Sequence, residues 1–181
     1  MTKQFLPVID AARTEFGFAR TICSCPECTL NCQHIPGYLI PADLDRIKEH
    51  LAPDEEFFDW AKKNLLASPG AVVLKNGKKF RIPTLVPARK QGDGCIFLTE
   101  DDRCRIHPVA PYGCAFFDSH QPAGEADRRS IHGLQAILTA WANGDLYAQV
   151  WLALDDAGIS APSPESSRRQ LRRAWDEQKH S

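Results

Sequence analysis

Four cysteines, Cys23, Cys25, Cys28 and Cys32, fall within ten residues, and the other three stand at Cys95, Cys104 and Cys114. No other feature restricts the chain as much. Seven cysteines in 181 residues lie well below the ~8–10% of a small disulfide scaffold. The count is odd and the placement suits pairing poorly, so free thiols in a reducing compartment are expected. Clustered thiols of this kind read first as metal ligands. Cys25 and Cys28 form a Cys-x2-Cys pair, in which a tight turn aims two sulfurs at one ion while backbone N–H groups point at the sulfurs.

The first block is similar to the bacterial ferredoxin spacing C-x2-C-x2-C-x3-C, in which the fourth cysteine ligates a different cluster. Four sulfurs so close in sequence cannot easily share one small ion with good tetrahedral geometry. The first block is therefore expected to be completed by the second, and the predicted ligand set is all seven cysteines. Two other allocations stay open. One is an iron–sulfur cluster on four cysteines, which leaves three for another role. The other is a zinc site completed by histidine, with His34 and His107 best placed and His120, His132 and His180 read as ordinary structural or surface residues. Seven thiolates around two divalent ions would leave a net negative charge, which a dry interior holds only with compensation. Backbone N–H donors, Lys90, Arg103 and Arg105 are the candidates to supply it.

The rest of the chain reads as mostly helical. A helix over residues 8–20 leads into the first block. Pro41 opens a second helix, where its missing N–H costs nothing, and Asp43 suits the positive helix end. A third helix starts at Pro53-Asp54-Glu55-Glu56 and is expected to stop at Ser68-Pro69-Gly70. Residues 71–74 and 80–82 flank Asn76-Gly77, the strongest short hairpin signal. A second short strand pair is expected at 96–98 and 104–106. From Gly124 the pattern is helical, broken at Asn143-Gly144 and at 158–164, with Ser163 a good cap for the last helix. The fold class is thus α+β: a small, mostly helical domain with short β-hairpins around a cysteine-ligated metal site. At roughly 150 residues per domain, a cysteine domain over 1–123 with a helical segment over 124–181 packed on it is expected.

With this order of features the chain resembles the YkgJ-like cysteine-cluster family, a zinc- or iron-chelating domain named for a CxxCxxCC run. The resemblance runs from Cys23 to Asp118. It rests on the cysteine-rich opening, Leu39-Ile40-Pro41-Ala42-Asp43-Leu44, the Gly-x-Cys-x-Phe-Leu segment ending in Gly94-Cys95-Ile96-Phe97-Leu98, Cys104-Arg105-Ile106-His107, and Pro111-Tyr112-Gly113-Cys114. Three departures stand out. Cys28-x3-Cys32 replaces the adjacent Cys-Cys pair, and Ala110 and Ala115 stand where the family carries arginines. The resemblance implies metal chelation through the cysteines.

Other chemistries find little support. No phosphate loop, dinucleotide fingerprint, His-Glu-x-x-His or Gly-x-Ser-x-Gly occurs, and Cys114 as a nucleophile is a minor reading. Arg168, Arg169, Arg172 and Arg173 read as a solvated helix face. Trp141, Trp151, Leu152, Leu154 and Trp175 read as the packing face of a helical hairpin. A net charge of −1 gives no general attraction to nucleic acid or anionic lipid. No apolar run is long enough to span a bilayer, and no signal core is present, so a cytoplasmic protein is expected. The expected function is metal binding, with an iron–sulfur cluster or iron in a redox or cluster-dependent enzymatic role. The alternative is a zinc-stabilised interaction module without catalysis. Enzymatic status stays open, an iron–sulfur-dependent oxidoreductase being the class such a centre implies. The partner, whether a protein or a small-molecule substrate, is not legible.

Overall fold

A computed structural model of the chain describes residues 16–21, 23, 25–90, 94–101 and 103–179. The helix expected over 8–20 lies outside them except for 16–20, which form a turn and an extended segment. The chain runs α1 (Pro26–His34), α2 (Pro41–Leu51), α3 (Phe57–Asn64), β1 (Leu65–Lys75), β2 (Lys78–Pro87), a 3-10 turn (His107–Val109), α4 (Tyr112–Ala115), α5 (Ala123–Asn143), α6 (Leu146–Asp156) and α7 (Pro164–Lys179). Among the described residues the sheet is one antiparallel pair, β1 with β2. The α+β expectation holds, with helices dominant.

Local chemistry accounts for the boundaries. Pro41 occupies the first turn of α2, and the Ile40 N–H donates to Asp43 Oδ2 at 2.9 Å, so Asp43 caps the helix from inside. Asn76 and Gly77 both have positive φ (52° and 72°), the signature of the tight hairpin turn expected there. Asp145 caps α6, accepting the Tyr147 N–H at 3.0 Å, and Ser163 Oγ accepts the Ser166 N–H of α7 at 3.1 Å. Gly144, at φ 64°, ends α5.

Two expectations are corrected. The third helix stops at Asn64, not at Ser68-Pro69-Gly70. Residues 65–70 are instead strand, with Leu65 and Ala67 buried on either side of half-buried Leu66, a period of two. Pro69-Gly70 marks a break in the strand register between Ser68 and Ala71. Gly70 has φ 77°, and a Cβ there would lie 1.7 Å from the Ile82 carbonyl oxygen. A separate bridge joins Arg89 to Cys95, and the second strand pair reduces to one bridge, Leu98 with Cys104. Its hydrogen bonds, Thr99 N–H to Arg103 O (2.8 Å) and Arg105 N–H to Phe97 O (2.9 Å), close turns and do not extend a ladder.

The later helices share one core with the hairpin and α2. Tyr147 is buried in α6; its hydroxyl donates to Leu39 O at 2.9 Å and accepts the Leu85 N–H at 2.8 Å. Trp141 and Trp151 donate to Pro83 O (3.1 Å) and Ser68 O (2.9 Å). Leu152 is exposed, so it leaves the packing face expected of it. Among the described residues no helix is long and apolar enough to cross a membrane.

At Gly37 and Gly113 two backbone segments cross in direct contact. A Cβ on Gly37 would sit 2.1 Å from the Gly113 carbonyl carbon, and one on Gly113 would sit 2.4 Å from the Tyr38 nitrogen. Backbone cannot yield as a side-chain tip can. Gly113→Ala is expected to cost about 3 kcal/mol or more by overpacking, read as a lower urea midpoint at unchanged m value. A loss below 1 kcal/mol would mean that the crossing is loose.

Candidate metal centre

Cys23, Cys25, Cys28 and His120 place their ligating atoms within 4.8 Å of one another. Bonds near 2.3 Å around a tetrahedral ion put sulfurs about 3.8 Å apart, so small rotations close this set onto one ion. Cys25 is the residue just before α1, in extended backbone, and Pro26 starts the helix. This directs the Cys28 N–H at the Cys25 sulfur. His120 arrives from the turn before α5, its Nε2 3.1 Å from Cys25 Sγ.

A small polar frame joins the two segments. The Thr21 hydroxyl accepts the Cys23 N–H (3.3 Å) and donates to Asp118 Oδ2 (2.6 Å), while Asp118 Oδ1 accepts the His120 N–H (2.8 Å). The Thr21 N–H donates to Ala115 O at 2.8 Å. Nearby Arg129, almost buried, donates to Ala19 O (3.0 Å) and Phe116 O (2.9 Å) and pairs with Glu125. The guanidinium thus ties the segment entering the first block to the end of α4. Glu27 Oε2 lies 3.7 Å from His120 Nδ1, the arrangement in which a carboxylate orients a metal-binding imidazole. Ser119 Oγ accepts from Asn31 Nδ2 at 2.7 Å and stands 3.6 Å from Cys28 Sγ.

Proximity splits the thiols electrostatically. The Cys28 N–H and then His120 bring Cys25 down to about 6, whereas burial pushes Cys28 up to about 12. His120 is held above its ordinary value, chiefly by Cys25. In metal-free, reduced protein, iodoacetamide at pH 7 is therefore expected to alkylate Cys25 first, with a rate that rises through about pH 6, because the thiolate is the nucleophile. Since the folded value is depressed, this ionisation favours folding fully above the unfolded thiol pKa and stops doing so as pH falls through about 6. Peptide mapping showing even labelling of all cysteines would contradict the geometry.

Cys32, Cys95, Cys104 and Cys114 form a second neighbourhood within the core. Each of the three from the second block feels the charge of Cys32, and Cys114 also feels Cys95 and Cys104. Cys95 is buried, and the other three pack against the same apolar cluster. Burial raises all four thiols, Cys95 to about 12 and Cys104 to about 11. Backbone donors meet three of the sulfurs: Phe97 and Leu98 at Cys95, Ile106 at Cys104, and the Gly37 N–H at Cys114 Sγ, 3.2 Å away. Each donor favours the thiolate over the thiol. The Gly37–Gly113 crossing therefore has a chemical result, since it brings an N–H to the Cys114 sulfur.

Of the first block only Cys32 thus stands near the second-block cysteines, whereas Cys23, Cys25 and Cys28 lie with His120. His34 and His107 stand outside the close Cys–His set. His107 is partly buried, and burial with nearby Arg20 holds it below its ordinary value. Of the expected cations, Arg105 lies near enough to stabilise a Cys104 thiolate, as does Arg20, whose guanidinium also donates to His107 O at 2.6 Å. Lys90 shares a cleft of about 280 Å³ with Cys95 and His34. Arg103 pairs with Asp101. His120 and Arg20 are the residues sequence reasoning missed; His120 lies 95 positions from Cys25, and no local signal links them.

A family model described as "CxxCxxCC: Putative zinc- or iron-chelating domain" matches residues 24–133. That range holds six of the seven cysteines and His120, and begins one residue after Cys23. Neither a curated protein nor a solved structure matches the chain.

Proposed function

Because the chain belongs to the CxxCxxCC family of zinc- or iron-chelating domains, we propose that it is an iron protein with a redox or cluster-dependent role. An iron–sulfur cluster or iron would be held by Cys32, Cys95, Cys104 and Cys114. The observation that supports this reading is the donor set: four soft thiols against an apolar core, three with backbone N–H groups at sulfur. Such hydrogen bonds and the exclusion of solvent are what tune thiolate-bound iron. When bound, the group supplies one-electron transfer. The residues themselves fix the four sulfurs, exclude water and, through Arg20 and Arg105, offset negative charge near Cys104.

Anaerobic purification with iron and acid-labile sulfide analysis tests the reading. Stoichiometric iron with a broad absorption band near ~400 nm, as thiolate-bound iron gives, is the expected result. Colourless protein with zinc alone would replace it with the second reading, a zinc-stabilised interaction module. The compact Cys23, Cys25, Cys28 and His120 set favours that alternative.

A further inference from the structure

We infer that the seven cysteines serve two separate centres, with Cys23, Cys25, Cys28 and His120 holding a zinc ion at the surface independently of the buried four-cysteine group. The inference rests on the metal-binding reading above and deepens it by dividing the ligands.

The first argument is compactness. Among the described residues, the Cys–His set is the one group of three or more metal-ligating side chains drawn so closely together. Its span suits a single tetrahedral ion. The other four cysteines do not form a group that tight, and four thiolates around several irons span more space than four ligands around one ion.

Donor chemistry gives the second argument. Three sulfurs and one imidazole make a common zinc set, whereas four thiolates are the common ligation of iron–sulfur clusters. Glu27 Oε2, 3.7 Å from His120 Nδ1, needs only a small rotation to accept the Nδ1 proton, the contact that would fix the tautomer and leave Nε2 for the ion. The other four have backbone N–H groups as their supporting donors.

The third argument is environment. His120 is half exposed. Three thiolates, a neutral imidazole and a divalent ion leave one net negative charge, which water solvates readily. Zinc undergoes no redox change, so exposure does it no harm. In the other group Cys95 is buried, and Cys32, Cys104 and Cys114 are partly buried against the apolar core. The two groups adjoin along helix α1, where Cys28 belongs to one and Cys32, one turn later, to the other.

The full chain is purified anaerobically from medium containing iron and zinc, and both metals are quantified in the wild type, His120→Ala and Cys104→Ser. The expected pattern is reciprocal: His120→Ala loses zinc and keeps iron and its visible absorption, while Cys104→Ser loses iron and keeps zinc. Zinc loss in His120→Ala from a wild type that never holds iron would overturn the iron reading and leave the surface site standing. Iron retained in a protein that holds no zinc, or whose zinc ignores His120→Ala, would overturn the two-centre inference and leave the iron reading standing. A milder variant guards against misfolding. Glu27→Gln is expected to weaken zinc roughly 10- to 100-fold in competition with a chromophoric chelator, with iron content unchanged. Equal zinc affinity in wild type and Glu27→Gln would overturn the assignment of Glu27 and the zinc-site geometry drawn from it.

Discussion

Removing the metal is expected to lower the melting temperature by roughly 10 °C or more. Metal-binding free energy becomes folding free energy when the site does not exist in the unfolded chain, and structural zinc reaches about 10–16 kcal/mol in small peptides. This chain has an apolar core of its own, so a smaller share, about 4–5 kcal/mol, is the conservative expectation. For a chain of this size each 1 kcal/mol shifts melting by about 2–4 °C. The segments that would loosen are those poor in regular structure, residues 18–21 and 103–120, which are otherwise joined by turns and single bridges. Cys28→Ser and Cys104→Ser should move melting the same way. Melting left unchanged after complete removal, verified by metal analysis, would reduce both groups to accessories.

Asp43→Ala is expected to be nearly as damaging, although Asp43 touches no cysteine. Its carboxylate is 0% exposed, accepts the Ile40 N–H at 2.9 Å and the Tyr112 N–H at 2.7 Å, and pairs with Arg46. Removing it takes the acceptor from two backbone donors and a carboxylate partner from Arg46, whose side chain is 28% exposed. Leaving two buried donors unsatisfied costs about 2–6 kcal/mol, which corresponds to a fall in melting of roughly 10 °C. Tyr112 begins α4 two residues before Cys114, so metal content should fall with stability. Calorimetry showing a loss below 1 kcal/mol would mean that other groups take over these donors.

The parts of this architecture visible in sequence were those written in local chemistry. Asn76-Gly77, Pro41 and Ser163 each dictate a backbone shape within a few residues, and each does so here. The cysteine spacing announced a metal site for the same reason. Helix α1 was not legible, since Cys, Thr, Asn and His are indifferent helix formers and Pro26 sits amid sulfurs that read as a knuckle. The end of α3 was misread because Pro69-Gly70 punctuates a strand irregularity as readily as a helix end. Which sulfur joins which neighbour depends on tertiary placement. Cys28 and Cys32 look equivalent along the chain, yet Asn31 and Ser119 steer one toward His120 while the core receives the other.

The long sequence separations across the site have a consequence for how the protein is made. Cys25 must wait for His120, 95 positions later, and Gly37 for Cys114, 77 positions later. Synthesis proceeds from the N-terminus, so the first cysteine block leaves the ribosome long before anything that can complete either group. During that interval its thiols are open to oxidation and to stray soft metals. Correct metallation is therefore a late event that follows emergence of residues 114–120, and the rate of translation through that stretch sets how long the unfinished thiols stand exposed.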